Sequence, residues 1–144
     1  MKAQPKPTID LALIVIDKNC FYTLPIEGWP NYHASTCGHI ISTQSNTPIV
    51  LAADIRPDGY VRATLSKDGA TKRFYVHRLV AQTFLESPNN DRNDAERVEV
   101  NHIDSDRGNN KLANLEWCSK SENTKHAFLM RRLDTELLEV AANV

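Results

Sequence analysis

The chain has 144 residues with 41% apolar and 24% charged side chains and a formal net charge of −1, ordinary values for a soluble globular protein. This length can bury a core without covalent staples, and the composition excludes collagen-like, low-complexity and wholly disordered readings. The charge is segregated: residues 54–80 carry six basic and three acidic groups, residues 81–110 three and seven, residues 111–133 five and two, and residues 134–144 three acidic groups only. Such blocks permit a polyanion on one face, although a solvated mixed surface explains them as well.

Residues 1–7 (MKAQPKP) read as a loose end. Leu11 to Ile16 is the longest apolar run, a strand or one helical turn. It is far short of the roughly 20 residues that span a bilayer, and too short for a signal-peptide core. Residues 23–32, with Pro25, Gly28 and Pro30, read as loop. His39 to Ser42 and Ile49 to Ile55 suit strands, and Pro57-Asp58-Gly59 supplies a turn. Tyr60, Arg62, Thr64 and Ser66 alternate with Val61, Ala63 and Leu65, the period of a strand with one apolar face. Asp68-Gly69 signals a hairpin, and alternation resumes to His77. Residues 38–77 thus form an expected antiparallel meander whose polar face carries Arg62, Lys72 and Arg73.

Helical spacing follows from His77 to Leu85, with Leu79, Val80, Thr83 and Phe84 on one side and Pro88 beyond its end. Residues 86–97 read as loop. Val98 to Val100 and Leu115 to Cys118 are two short strands around the turn-rich DSDRGNN segment. Ser119 or Ser121 caps a helix to about Ala141, its apolar residues Ala127, Met130, Leu133, Leu137, Leu138 and Ala141 recurring every three or four positions. That stripe reads as a packing face, within the chain or between chains. Cys20, Cys37 and Cys118 are odd in number and in no C-x-x-C pair, so neither a disulfide framework nor a zinc ribbon is expected. Cys118 beside Trp117 reads as a small core residue. Asp104-x-Asp106-x-Gly108 is no calcium loop: its glycine falls one position early and Leu115 stands where a bidentate Glu is needed.

The informative segment is VNHIDSDRGNNKLANLEWCSKSENTKH, residues 100–126. A strand pair packed on a helix brings residues about twenty positions apart into one cleft, enough for a small metal site. This segment resembles the HNH endonucleases, the ββα-metal class, in their phage and intron-encoded homing form. The resemblance spans roughly residues 28–127. It takes in GWPNYHASTCGHIIS upstream, GYVRATL and VHRLVAQTF in the middle, and the ordered set NHID, NN, NLEW and EN. It implies an α+β fold, with an N-terminal antiparallel β-sheet module that grips DNA (1–75) and a ββα-metal nuclease module with a C-terminal helix (76–144).

The resemblance also implies roles. His102 matches the general base that deprotonates the attacking water, a task suited to imidazole because it ordinarily titrates near neutrality. Asn101 and Asn123 match the metal-holding positions, and His126 is a further candidate. Asn114 matches the residue that braces the loop and so orients His102. Oxygen ligands and a phosphate substrate imply Mg²⁺, with Mn²⁺ able to substitute. The implied partner is double-stranded DNA, held by Arg56, Arg62, Lys67, Lys72, Arg73 and Arg78, and cut by a monomer or weak homodimer that nicks one strand. No membrane is implied, and the expected setting is the cytoplasm of a bacterial host, with a phage as the source. Two departures stand out. Asn101 occupies a position that is Asp in many relatives, and Ser105 fills a turn position that is often Gly. The first keeps open an alternative, a DNA-binding module that retains the fold but no longer cuts. A structural domain with a chance motif is the third reading.

Overall fold

The computed structural model describes residues 11–86 and 98–142, the side chains of 98 and 139–142 excepted. The expected loose end at 1–7 and most of the expected loop at 86–97 lie outside those residues. Strands β1 (Ala12–Ile16), β2 (Asn19–Ile26), β3 (Trp29–Ser35), β4 (Ile40–Ser42) and β5 (Ile49–Val50) form an antiparallel sheet in sequence order. Strands β6 (Asp54–Ile55), β7 (Val61–Lys67) and β8 (Ala70–Tyr75) form a second sheet. Helix α1 (Val76–Phe84) follows directly, then the antiparallel pair β9 (Val98–His102) and β10 (Leu115–Ser119), and helix α2 (Lys120–Ala142). The chain is α+β, with antiparallel sheets and a C-terminal helix.

Residues 23–32 are not loop but most of the β2–β3 hairpin. The hairpin tolerates its prolines because the register shifts between Pro25 and Ile26, which leaves Pro30 in a bulge where a missing N–H costs nothing. Residues 49–55 do not form one strand. Its halves join different sheets, so the expected meander over 38–77 is split between two.

The Asp68-Gly69 hairpin turn forms with both residues at positive φ, 53° and 78°. In β7 the buried residues are Val61, Ala63 and Leu65, as alternation requires. Adjacent strand residues point to opposite faces, however, so Lys72 cannot share a face with Arg73. Lys72 is the cross-strand partner of the buried Leu65 and lies over Phe74, whereas Arg73 pairs with Thr64 on the outer face beside Arg62.

Helix α1 is the hub of the core. Its Val76, Leu79, Val80 and Phe84 are buried in one cluster with Ile26, Tyr32, Ala34 and Ile40 of the first sheet, Val61, Ala63 and Leu65 of the second, and Val100, Leu115 and Trp117 of the third. The β9–β10 pair therefore rests on the same core as the two sheets before it. A close approach adds to this. Leu112 N–H donates to Thr36 O at 2.9 Å, and Gly38 (φ +89°) passes so near residue 110 that a Cβ on it would stand 2.6 Å from the Asn110 carbonyl.

Ser119 caps α2 in a reciprocal box: Glu122 N–H donates to Ser119 Oγ at 3.1 Å, and Ser119 N–H to Glu122 Oε2 at 2.9 Å. The first turns of α2 sit against β9 and β10. Beyond them, the stripe expected to pack leaves Leu133, Leu137 and Leu138 exposed in the single chain. No helix among the described residues is long and apolar enough to cross a membrane.

Candidate active site

Alternation along β9 sends Asn101 and His102 to opposite faces. His102, at the strand's end, points to the core side, where it is 5% exposed. Its ring lies 4.9 Å from that of His77, the second residue of α1, and 6.1 Å from that of Tyr60. Its Nε2 lies 2.9 Å from Asn110 Oδ1. An amide oxygen only accepts, so Nε2 carries a proton; in the neutral ring the lone pair then falls on Nδ1, which makes no hydrogen bond with any described residue.

Asn101 faces α2. Its Nδ2 donates to Glu116 Oε1 at 3.0 Å, across the strand pair. Asn123, in the second turn of α2, donates from Nδ2 to Glu99 Oε2 at 2.8 Å. Both asparagines thus spend their nitrogens on carboxylates and keep their carbonyl oxygens. Together with His102, His126, Tyr60 and Arg107 they line one cleft of about 430 Å³. His126 is partly committed, since its Nε2 donates to Ile103 O at 3.1 Å.

The loop between the strands is knitted by Asn114. Its Oδ1 accepts from Asp104 N–H at 3.0 Å, and its Nδ2 donates to Asp104 Oδ1 and Asn109 O, each at 2.9 Å. Asn114 makes no hydrogen bond to the His102 ring; the residue that does is Asn110. Desolvation opposes ionisation of Asp104, but hydrogen bonds from Asn109, the Asp106 N–H and Asn114 prevail and hold its carboxyl below the usual range. Ser105 does adopt a left-handed conformation, φ 63°, where glycine would be unstrained.

His77 is buried, yet its Nδ1 has no hydrogen-bond partner among the described residues. Burial above all, with the charges of His102 and Arg78, pushes its pKa down to about 3, so it stays neutral. Burial and then the carboxylates of Glu116, Glu122 and Glu99 push the Cys118 thiol up to about 11, which removes it as a nucleophile at neutral pH.

The basic residues expected to hold DNA are dispersed. Arg62 donates to Asp54 at 2.7 Å, Arg56 lies 3.6 Å from Asp58, and Lys67 donates to Gly28 O. Arg73 has no ion pair among the described residues. Arg78 lines a small pocket beside the cleft with Glu99 and Asn123. Arg107, which sequence reasoning passed over, stacks 4.6 Å from the Tyr60 ring at the cleft itself. Glu99 and Glu116 were also passed over, although their spacing placed them on the face of Asn101.

A ββα unit with a buried histidine and two asparagines around one cleft points to the HNH class of nuclease domains. The family model for the HNH endonucleases matches residues 74–125. An uncharacterized HNH endonuclease, L245, of Acanthamoeba polyphaga mimivirus is 39% identical over 108 residues, 75% of this chain and 30% of the relative. The DNA endonuclease I-HmuI of Bacillus phage SP01 is 32% identical over 120 residues, 83% of this chain and 64% of the relative. A solved structure of DNA binding and cleavage by the HNH homing endonuclease I-HmuI superposes with a TM-score of 0.64 at 30% identity, covering 83% of this chain and 66% of that one. The chain belongs to the HNH endonuclease family. It spans about 30% and 25% of the length of the two mimivirus relatives it matches.

The oxygens of Asn101 and Asn123 are hard, neutral donors. Among the described residues no group of three His, Cys, Asp or Glu side chains is placed to hold a metal. The pair fits an oxygen-preferring cation such as Mg²⁺ or Mn²⁺ that takes its other ligands from water and phosphate, and does not fit a zinc cage.

Proposed function

We propose that the chain is a divalent-metal-dependent DNA endonuclease that hydrolyses one phosphodiester per site, a nicking enzyme of the homing type. One observation carries the reading: a buried histidine whose Nε2 is held by Asn110 shares a cleft with two asparagine carbonyl oxygens that no described residue claims. His102 Nδ1 takes the proton of the attacking water, and Asn110 keeps the ring in the tautomer able to do so. Asn101 and Asn123 would hold the cation. When bound, it supplies charge stabilisation at the phosphate and the leaving 3′ oxygen. Arg107, over the Tyr60 ring with one guanidinium nitrogen donating to Asp58 O, presents its remaining donors to a phosphate at the cleft, and Arg73 and Arg78 extend the phosphate-binding surface. The relatives named for DNA cleavage support DNA as the partner; the proposed substrate is double-stranded and the proposed protein state a monomer or weak homodimer.

The test is incubation with supercoiled plasmid under Mg²⁺, Mn²⁺ or EDTA. Cleavage that needs the cation and disappears in His102→Ala supports the reading. Retarded but uncut DNA under every cation would favour a binding module that has lost cleavage.

A further inference from the structure

Glu116 and Asn101 are direct cross-strand partners, and Glu99 lies two residues before Asn101 on the same face. Each carboxylate accepts from one amide nitrogen, Asn101 at 3.0 Å and Asn123 at 2.8 Å. An ionised carboxylate has no proton to give, so each contact admits only the NH₂ end of its asparagine. The carbonyl end is thereby turned away from the carboxylate. An N–H···O⁻ bond also pushes electron density toward that carbonyl oxygen. Two side chains that are neutral by themselves thus become oriented, polarised oxygen donors.

We propose that Glu99 and Glu116 are positioning residues of the cation site. Each fixes one asparagine with its oxygen free for the cation, and each supplies through the amide the negative charge that a directly ligating carboxylate would otherwise bring. The proposal rests on Asn101 and Asn123 being the cation ligands. It gives a physical reason for an amide at position 101. An aspartate there would meet Glu116 at hydrogen-bond distance, and two carboxylates that close either repel or share a proton, so the added charge would not reach a cation. Asn101 and Glu116 form a matched pair in which the charge stands one residue behind the ligand.

The test measures Mn²⁺ and Mg²⁺ binding to the intact protein without DNA, by titration calorimetry and by the side-chain amide NMR signals of Asn101 and Asn123. Glu116→Gln and Glu99→Gln each remove a charge and allow the facing amide to turn over; each is expected to weaken Mn²⁺ binding roughly tenfold or more. Asn101→Asp alone is not expected to tighten binding, because the new carboxylate faces Glu116. The double variant Asn101→Asp/Glu116→Gln moves the charge across the strand pair, keeps a hydrogen bond there, and is expected to restore binding. If Glu116→Gln does not fold, the double variant set against Asn101→Asp gives the same comparison. Wild-type affinity in both Gln variants, or tighter binding by Asn101→Asp with Glu116 in place, overturns the proposal and leaves the cation site standing. Absence of Mn²⁺ binding and of amide shifts in the wild type, both without DNA and with an uncleavable phosphorothioate duplex, takes down the cation site, and this proposal with it.

Discussion

Asn110 Oδ1 accepts a hydrogen bond from His102 Nε2 at 2.9 Å, shut away from solvent. One oxygen therefore sets which nitrogen of the proposed base is free. His102→Ala is expected to lower cleavage by roughly 10²–10⁴-fold, the usual worth of a general base, while DNA retention in a filter assay stays near wild type. Asn110→Ala should lower it less. In that variant the ¹⁵N signals of the His102 ring should depart from the pure Nε2–H pattern. Unchanged ring signals would mean that Asn110 does not control the tautomer.

Gly38 approaches the backbone of the same residue. A methyl at this position would meet the Asn110 carbonyl at 2.6 Å, and φ is +89°. Gly38→Ala combines overpacking, about 1–3 kcal/mol, with a left-handed backbone that costs a further 1–2 or so. Thermal unfolding should show the loss. Cleavage should fall in the protein that remains folded, because relief of the clash displaces Asn110. Gly69→Ala is the control, since its φ is also positive but nothing lies within 4 Å of its added Cβ.

The legible parts of the molecule were those where one local period or one motif decides. The β7–β8 hairpin follows from strict alternation and Asp68-Gly69, and α1 from its apolar spacing. The fold class and the placing of Asn101, His102 and Asn123 around a cleft were likewise readable. The β2–β3 hairpin was not, because Pro25, Gly28 and Pro30 look like loop until a bulge removes the cost of a missing N–H. Asn110 was unreadable for another reason. Two adjacent asparagines in a turn look alike, and only the approach of Gly38, seventy-two positions earlier, shows which is buried. Glu99 and Glu116 could have been found, since the EVN and LEW spacings put them on the face of Asn101.

His77 predicts a pH dependence. Its native pKa is about 3 against an ordinary 6.5. Above about pH 6.5 neither the folded nor the unfolded chain holds the extra proton, and stability from this group is fully present. As pH falls toward 3 the unfolded chain binds a proton that the folded one refuses, so stability declines by up to about 1.4 kcal/mol per pH unit. Urea unfolding at pH 7, 6, 5 and 4 should be less steep in His77→Phe, which keeps an aromatic ring against Tyr60 and His102. Identical pH slopes would show that His77 titrates normally.

The positions of the basic residues predict which of them grip DNA. Arg62 is already paired with Asp54, and Lys67 and Lys72 lie on the other face of the hairpin from Arg73. Arg107 is stacked at the cleft. Neutralising Arg107 or Arg78 should each flatten the dependence of log K on log salt by about 0.9 for every phosphate that the variant no longer neutralises. Arg62→Gln should change the slope less. A larger effect at Arg62 than at Arg107 would move the duplex away from the cleft and onto the outer sheet face.

The number of sites predicts the course of cleavage. Among the described residues the cleft holds one proposed base, His102, and one pair of asparagines, with His126 turned to Ile103 O, enough for one displacement at one phosphodiester. The second strand then requires a second copy or a second encounter. The exposed Leu133, Leu137 and Leu138 of α2 are the apolar surface a second copy could use, and their burial would make cutting depend on protein concentration. Supercoiled plasmid should pass first to open circle, with linear product later and favoured by more protein. Leu137→Glu/Leu138→Glu should suppress linear product selectively if that helix pairs, and leave nicking alone. Linear DNA formed at once under dilute enzyme, without an open-circle stage, would contradict single-site nicking and require paired sites from the start.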